Sequence, residues 1–301
     1  MPSAYALLAL AQLAVGAAAI FARFALAGGG PIAVSALRLL IAAVPVAAFA
    51  ALRGAYRRHD AATERRLVFA GCALAAHFAL WIASLRFAGV GVSTLLVCTT
   101  PIWTELFEII RTRRVRRNAL ASIGLAIAGV AAVVGVPTPG QTPLGIGLAL
   151  GGAIAIAIYL VLVRASDPRY ETLAIVGRTY PIAAIVLLAA ATLTRDRVPP
   201  LHATGAWCGI IAMALVSQLF GHTALNVAVR TLSATFVATV TLIEPAIAAS
   251  LAAVIFGEHL APGTLAGSLL VLAGIGVAVF DDHRNAVKKS PEGRQASNRV
   301  A

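Results

Sequence analysis

The sequence is short of charge. Asp, Glu, Lys and Arg make up 12% of its 301 residues, where a soluble globular chain carries about 25%. A soluble two-domain enzyme of this length is excluded, because there is too little polar surface to cover it. Acid is the scarcer sign, with 12 residues against 24 basic ones. Cysteine is nearly absent. Cys72, Cys98 and Cys208 each lie within an apolar stretch, and an odd count without paired spacing argues against a disulfide framework or a cysteine metal cluster. There is no phosphate loop after a strand, no HExxH and no paired CxxC. No metal or cofactor is expected, and primary ATP-driven pumping by this chain alone is excluded. The N-terminus, "MPSAYALLALAQLAVGAAAIFARFALAGGGP", lacks a charged leader region and continues too far for a cleaved signal, so it reads as a first span.

What the chain does have is apolar length. It is 60% hydrophobic, with a mean hydropathy of +0.89. About 20 such residues, rising 1.5 Å each, cross a hydrocarbon core of about 30 Å. The expected fold class is an all-α membrane protein with ten transmembrane helices, near 4–26, 32–52, 67–87, 89–110, 118–136, 143–163, 172–193, 204–228, 232–256 and 262–280. Turn-forming and polar segments separate them, among them "GGGP" (28–31), "RTRRVRRN" (111–118) and "VPTPGQTP" (136–143). The polar residues 281–301 read as a disordered cytoplasmic tail.

A net charge of +12 would suggest nucleic acid in a soluble domain. Here the basic residues fall between apolar runs, so topology explains them and no nucleic-acid partner is expected. With the N-terminus in the cytoplasm, 18 basic residues fall on the cytoplasmic side and 4 (Arg23, Arg86, Arg195, Arg197) on the other. Arg38 and Arg178 stand just inside spans. The bias places both termini inside. The chain also repeats. "IASLRFAGVGVSTLLVCTTPIW" (82–103) lies on "NVAVRTLSATFVATVTLIEPAI" (226–247), matching Arg86 to Arg230 and Pro101 to Pro245; earlier in each half Arg23 meets Arg164 and Arg38 meets Arg178. Two halves, 4–136 and 143–280, are therefore expected. Five helices are an odd number, so the halves are inverted, with a central cavity between them.

"FALWIASLRFAGVGVSTLLVCTTPIW" (78–103) and "LSATFVATVTLIEPAIAASLAAVIFGEHLAPGTLAGSLLVLAGI" (232–275) carry a family resemblance. They are similar to the third-to-fourth and ninth-to-tenth helices of EamA-type members of the drug/metabolite transporter superfamily. The second stretch includes that family's Glu-Pro pair and its Gly-Glu pair, Gly257-Glu258. The first half departs from the pattern: Arg113-Arg114 stands where the family usually has Gly-Glu. The resemblance implies ten helices, N-in/C-in, a central cavity and carrier-type movement of a small metabolite in a bacterial inner membrane. It leaves a homodimer open.

Intramembrane ionisable residues default to functional hypotheses, because a charge at the bilayer centre costs about 2.5–3.5 kcal/mol on insertion scales. Glu244 sits near mid-span, with Pro245 opening the helix beside it. The pair reads as a substrate or proton site, or as a carboxylate tied to another helix. Thr94, Cys98, Pro101, Glu105 and Glu108 share one face of the fourth span. Pro101 is the matching helix break and Glu105 the second candidate carboxylate, while Glu108 reads as an interfacial partner of Arg111. His77 and Trp81 on the third span, and Gln218, His222 and Asn226 on the eighth, read as cavity lining or as interhelical hydrogen bonds. Trp81 offers an apolar or cation–π wall, and the histidines a proton relay. Arg38 is expected at the outer entrance and Arg178 at the cytoplasmic one. Each could gate by pairing with a carboxylate, draw an anionic group of the substrate, or snorkel.

These residues favour a secondary carrier using alternating access, with an amino acid, a related metabolite or a xenobiotic as small-molecule substrate, and export as the expected direction. The alternatives are a membrane-embedded enzyme and a non-transporting membrane subunit. Ser217 and His222 exist, but their spacing does not put a nucleophile and its base on one helical face.

Overall fold

The computed structural model describes residues 2–56, 60–113, 117–135, 141–165, 171–222, 224, 243–258 and 261–289. Among these residues every regular element is helical and no strand occurs. The first half contains α1 (Pro2–Gly16), α2 (Ala18–Leu26), α3 (Pro31–Leu52), α4 (Ala61–Ser84), α5 (Val90–Val97), α6 (Thr100–Thr112) and α7 (Arg117–Gly135). The second contains α8 (Pro143–Arg164), α9 (Thr172–Leu193), α10 (Thr204–Ala212), a π-helical continuation (Met213–Gly221), α11 (Glu244–Phe256) and α12 (Pro262–Lys289). Local chemistry sets the boundaries. Pro31 and Pro143 occupy first turns, where a missing N–H costs nothing. Asp60 caps α4, accepting from the Thr63 N–H at 2.9 Å and the Thr63 hydroxyl at 2.8 Å.

Among the described residues seven helices are long and apolar enough to cross a bilayer: Ala6–Leu26, Pro31–Leu52, Ala61–Ser84, Val90–Thr112, Pro143–Val163, Thr172–Leu193 and Thr204–Gly221. Three shorter apolar helices join them, Leu120–Ala132, Glu244–Phe256 and Leu265–Val277. The expected ninth span falls partly on 225–242, outside the described residues. The expected disordered tail needs correction at its start. α12 runs on to Lys289, because no Gly or Pro interrupts the chain between Gly276 and Pro291.

The surface of the bundle differs from that of a soluble protein. Large exposed side chains are apolar, including Leu10, Val44, Phe69, Ile127, Ile185 and Val254. Buried side chains include Gln12, Ser35, Arg38, Thr94, Thr179 and Gln218. This is the arrangement for a lipid solvent, in which polar groups must find partners inside the protein. Alanine and glycine at the helix contacts let backbones approach closely. One such contact joins α7 to α12: a Cβ on Gly129 would fall 2.6 Å from both the Gly267 carbonyl oxygen and the Val271 nitrogen.

The packing repeats between halves. α4 packs on α8, as α10 and its π continuation pack on α2 and α1. α3 packs on α9 and α7 on α12, each pair made of equivalent elements from the two halves, and α5 packs on α11, the counterpart of α6. Proline-led helix starts and helix ends repeat as well. α5 stops at Val97 and α6 restarts at Thr100, with Pro101 in its first turn. α11 starts at Glu244, 144 residues later, with Pro245 in its first turn. α6 ends on Arg113 at φ 56° and α11 on Gly257 at φ 67°, again 144 residues apart. The left-handed cap costs glycine nothing but strains arginine.

Two measurements check this packing. Gly129→Val should lower the melting temperature of the detergent-purified protein, with a cost of about 1–3 kcal/mol for overpacking. Gly124→Val on the same helix should change it little, because nothing lies within 4 Å of a Cβ there. The Thr63 N–H and hydroxyl hold the Asp60 carboxyl below its ordinary value. Its stabilisation is therefore present above the unfolded pKa of about 3.9 and lost as pH falls through the lower folded value. The melting difference between wild type and Asp60→Ala should persist from neutral pH down to about pH 4 and close in stronger acid.

Candidate functional site

Arg38 stands in the second turn of α3 and is only 1% exposed. It is not an entrance cation, as its place in the sequence suggests, but a core residue. The reason is its helix face, which points at α4 and the π segment rather than at a headgroup surface. Its Nη2 donates to the Gln218 Oε1 at 2.7 Å. The guanidinium carbon lies 4.2 Å from the Phe78 ring centroid and 5.7 Å from that of Trp81, both within cation–π range.

The third-span pair joins the same group. The His77 and Trp81 rings lie nearly parallel, 9° apart in plane, with centroids separated by 6.2 Å. His77 Nδ1 donates to the Gly152 carbonyl at 2.9 Å. A carbonyl only accepts, so that nitrogen carries the proton. Gly152 permits the approach: a Cβ there would sit 3.3 Å from the Trp81 backbone nitrogen. On the opposite side, the π segment turns Ser217 and Gln218 inward, and both are buried. The Ser217 hydroxyl is engaged, donating to the Ala14 carbonyl at 2.7 Å. His222 follows the segment, half-buried and electrostatically coupled to Arg38 and His77. Tyr180 of α9 is buried beside Arg38 and Gln218. Arg38, His77, Trp81, Gln218 and His222 thus form one neighbourhood, to which Phe78 and Tyr180 must be added. Nothing in the sequence flags those two, since an aromatic residue among apolar ones gives no signal. Asn226 lies outside the described residues.

The carboxylates stand elsewhere. Glu244 opens α11, about 20 Å from that helix's far end at 1.5 Å per residue. It lies beside Cys98, at the break between α5 and α6. Glu105 is half-buried on α6, one turn beyond that break, and engages a partner of its own. Glu108 accepts from Arg111 Nε at 2.9 Å and Nη2 at 2.6 Å, an exposed pair.

Arg178, the repeat-mate of Arg38, holds a different environment. Its Nε meets the Glu64 carboxylate at 3.1 Å, and its Nη1 donates to the carbonyl of Ala174 at 3.1 Å. It also lies over the ring of Tyr56, which donates to the Gly177 carbonyl at 2.8 Å. Burial raises the Tyr56 phenol, and the Arg178 charge partly opposes that.

At the other end of the bundle the two halves are tied together. Glu258 accepts from the Val90 N–H at 2.7 Å, at the start of α5, and pairs with Arg23 at 3.2 Å. Asp196 accepts from the Ile32 and Ala33 N–H groups at 2.7 and 3.0 Å, capping α3 from the opposite half. Arg86 donates to the Gly29 carbonyl at 2.6 Å, and the Gly30 N–H to that of Arg197 at 2.6 Å.

These features define a class: a multi-pass helical membrane protein of two repeated halves, with its polar groups gathered inside. The EamA-like transporter family model matches it twice, at residues 2–135 and 143–280. The chain belongs to that family. The two matched stretches coincide with the halves that the packing relates. No curated protein matches the chain. Among solved structures, one described as "Crystal structure of protein" shares the fold at 19% identity with a TM-score of 0.63, covering 94% of this chain and 99% of that one.

Glu258→Ala removes both the Arg23 pair and the cap on α5, and should loosen the tied end. With Cys72 and Cys208 replaced by serine, labelling of Cys98 by a water-soluble maleimide should speed up severalfold. An unchanged rate would mean that Glu258 does not hold this end shut.

Proposed function

We propose that the chain is a secondary carrier that moves a small metabolite by alternating access between its two halves. One observation carries this reading above the others: a helix starts next to a proline at the same point of the repeat in both halves, after a break in the first half, and the second start carries an ionisable residue, Glu244. A scaffold has no need of a carboxyl at that depth. Broken helices leave backbone groups free, which lipid does not tolerate but a wet path between halves does.

Ten crossings with both termini in the cytoplasm fit the basic residues, 18 to 4. In that orientation the end closed by Glu258, Asp196 and Arg86 faces outward, and Arg178 with Glu64 stands at the cytoplasmic mouth. A cell membrane of the bacterial inner-membrane type is the setting, and export the direction. The conformation described is then closed to the outside. Opening requires release of the Arg23–Glu258 pair and of the Asp196 cap, and each has water to replace it once the end parts. Glu244 binds a proton or a substrate amine in one conformation and releases it in the other, which couples movement to a gradient. Arg178 and Glu64 serve as the inner gate. Rival enzymatic chemistry would draw on Ser217, but its hydroxyl is committed to the Ala14 carbonyl.

The test is flux through purified protein in liposomes. Glu244→Gln should abolish net transport or uncouple it from a pH gradient, while leaving insertion and melting temperature close to wild type. Wild-type coupled flux in that variant would remove Glu244 from the mechanism. Substrate hydrolysis without any movement would favour an enzyme instead.

A further inference from the structure

We infer that Arg38 is the recognition point for a carboxylate on the transported molecule, and that the carrier's substrates are small organic anions with an apolar body. This rests on the carrier reading above and adds the substrate class. Two orphaned donors side by side carry it. Arg38 is buried, and a guanidinium stays protonated in proteins. Only its Nη2 has a hydrogen-bond acceptor, the neutral Gln218 amide. Nε and Nη1 are buried without a partner. The Trp81 indole Nε1 is likewise buried and unpartnered, and the Trp81 ring lies 5.7 Å from the Arg38 guanidinium carbon.

An unpaired cation in the interior is costly, and structures avoid it by pairing. Among the described residues no side chain supplies the missing anion. The π faces of Phe78 and Trp81 offset part of the charge but accept no in-plane N–H. Asp196 is committed to Ile32 and Ala33, Glu258 to Arg23 and Val90, and Glu64 to Arg178. Glu244 stands at the α5–α6 break beside Cys98.

The repeat gives an internal control. Arg178 sits at the equivalent place in the other half, in the second turn of α9, and faces α4 as Arg38 faces the helix equivalent to α4. There a carboxylate, Glu64, meets it. At Arg38 the facing helix offers an amide in place of an acid. One arginine of the pair is closed as a structural ion pair, and the other is left open for a guest. A carboxylate fits the planar, forked guanidinium and its charge. The indole N–H supplies a further donor, and the rings of Phe78, Trp81 and His77 form an apolar wall for the rest of the molecule. The site is shut in this conformation, so the guest enters when the halves part.

The full chain, reconstituted in liposomes loaded with yeast-extract metabolites, tests this directly, with mass spectrometry reading what leaves faster than from protein-free vesicles. The compounds released should carry a carboxylate. Converting one of them to its amide should slow its release at least about ten-fold, in line with loss of a charge-assisted bond. Arg38→Gln should lose a similar factor, Arg38→Lys should retain part of the rate, and Trp81→Phe, which keeps the ring and drops the N–H, should cost a few-fold. The acid–amide comparison uses wild type alone, so it stands even where an Arg38 variant does not fold. Release of neutral or cationic molecules without preference for acids would overturn the assignment and leave the carrier reading intact. So would a well-folded Arg38→Gln variant that releases acids at the wild-type rate. Release of nothing would overturn both.

Discussion

In a lipid solvent the protein must satisfy its own polar groups, and almost every feature of this chain follows from that constraint. The outside is Leu, Val, Ile and Phe because nothing there can be hydrogen-bonded. Many serines and threonines bond within their own helices or to the next one, as Ser35 does to the Phe78 carbonyl at 3.1 Å and Ser217 to that of Ala14. A polar group left unmet inside such a bundle is therefore informative. Arg38 is the largest fully buried side chain among the described residues, and it is incompletely met.

The second organising fact is a repeat that is faithful in shape and unfaithful in charge. The proline-led start and the left-handed cap of α6 recur in α11 at one fixed spacing. Gly257 takes the left-handed cap freely and is followed by Glu258, which ties the halves together at one end. At the equivalent point Arg113 takes the same backbone conformation at a cost, and an arginine follows it in place of the acid. The arginine pair diverges too: Arg178 is closed by Glu64, whereas Arg38 meets only an amide. Equivalent helices thus hold unequal ties at the two ends.

Much of the fold was legible because its signals are periodic or compositional. Apolar run length announced the spans, and the coincident arginines and prolines announced the repeat. Helical spacing put His77 with Trp81 on one helix and Gln218 with His222 on another, but could not bring the two helices together. What sequence did not disclose depends on contacts between distant segments. Arg38 lies close enough to a helix start to look like an entrance residue; only the packing of α4 and the π segment against α3 makes it a core residue. The π segment itself left no mark, since Met213–Gly221 differs little in composition from the α-helical turn before it. Phe78 and Tyr180 were invisible for the same reason. The continuation of α12 to Lys289 was missed because a polar run was read as disorder, although no helix breaker stood in its way.

The central claim is that the two halves trade openings at opposite ends of the bundle around its buried polar interior. Distances between spin labels across the halves measure this most directly, with one pair at exposed Phe87 and Leu201 on the tied end and another at exposed Ile110 and Glu171 on the opposite end. In lipid, two populations should be present, and the pair that is long in one should be short in the other. A single distance at both ends, unchanged by Glu258→Ala, would contradict the account.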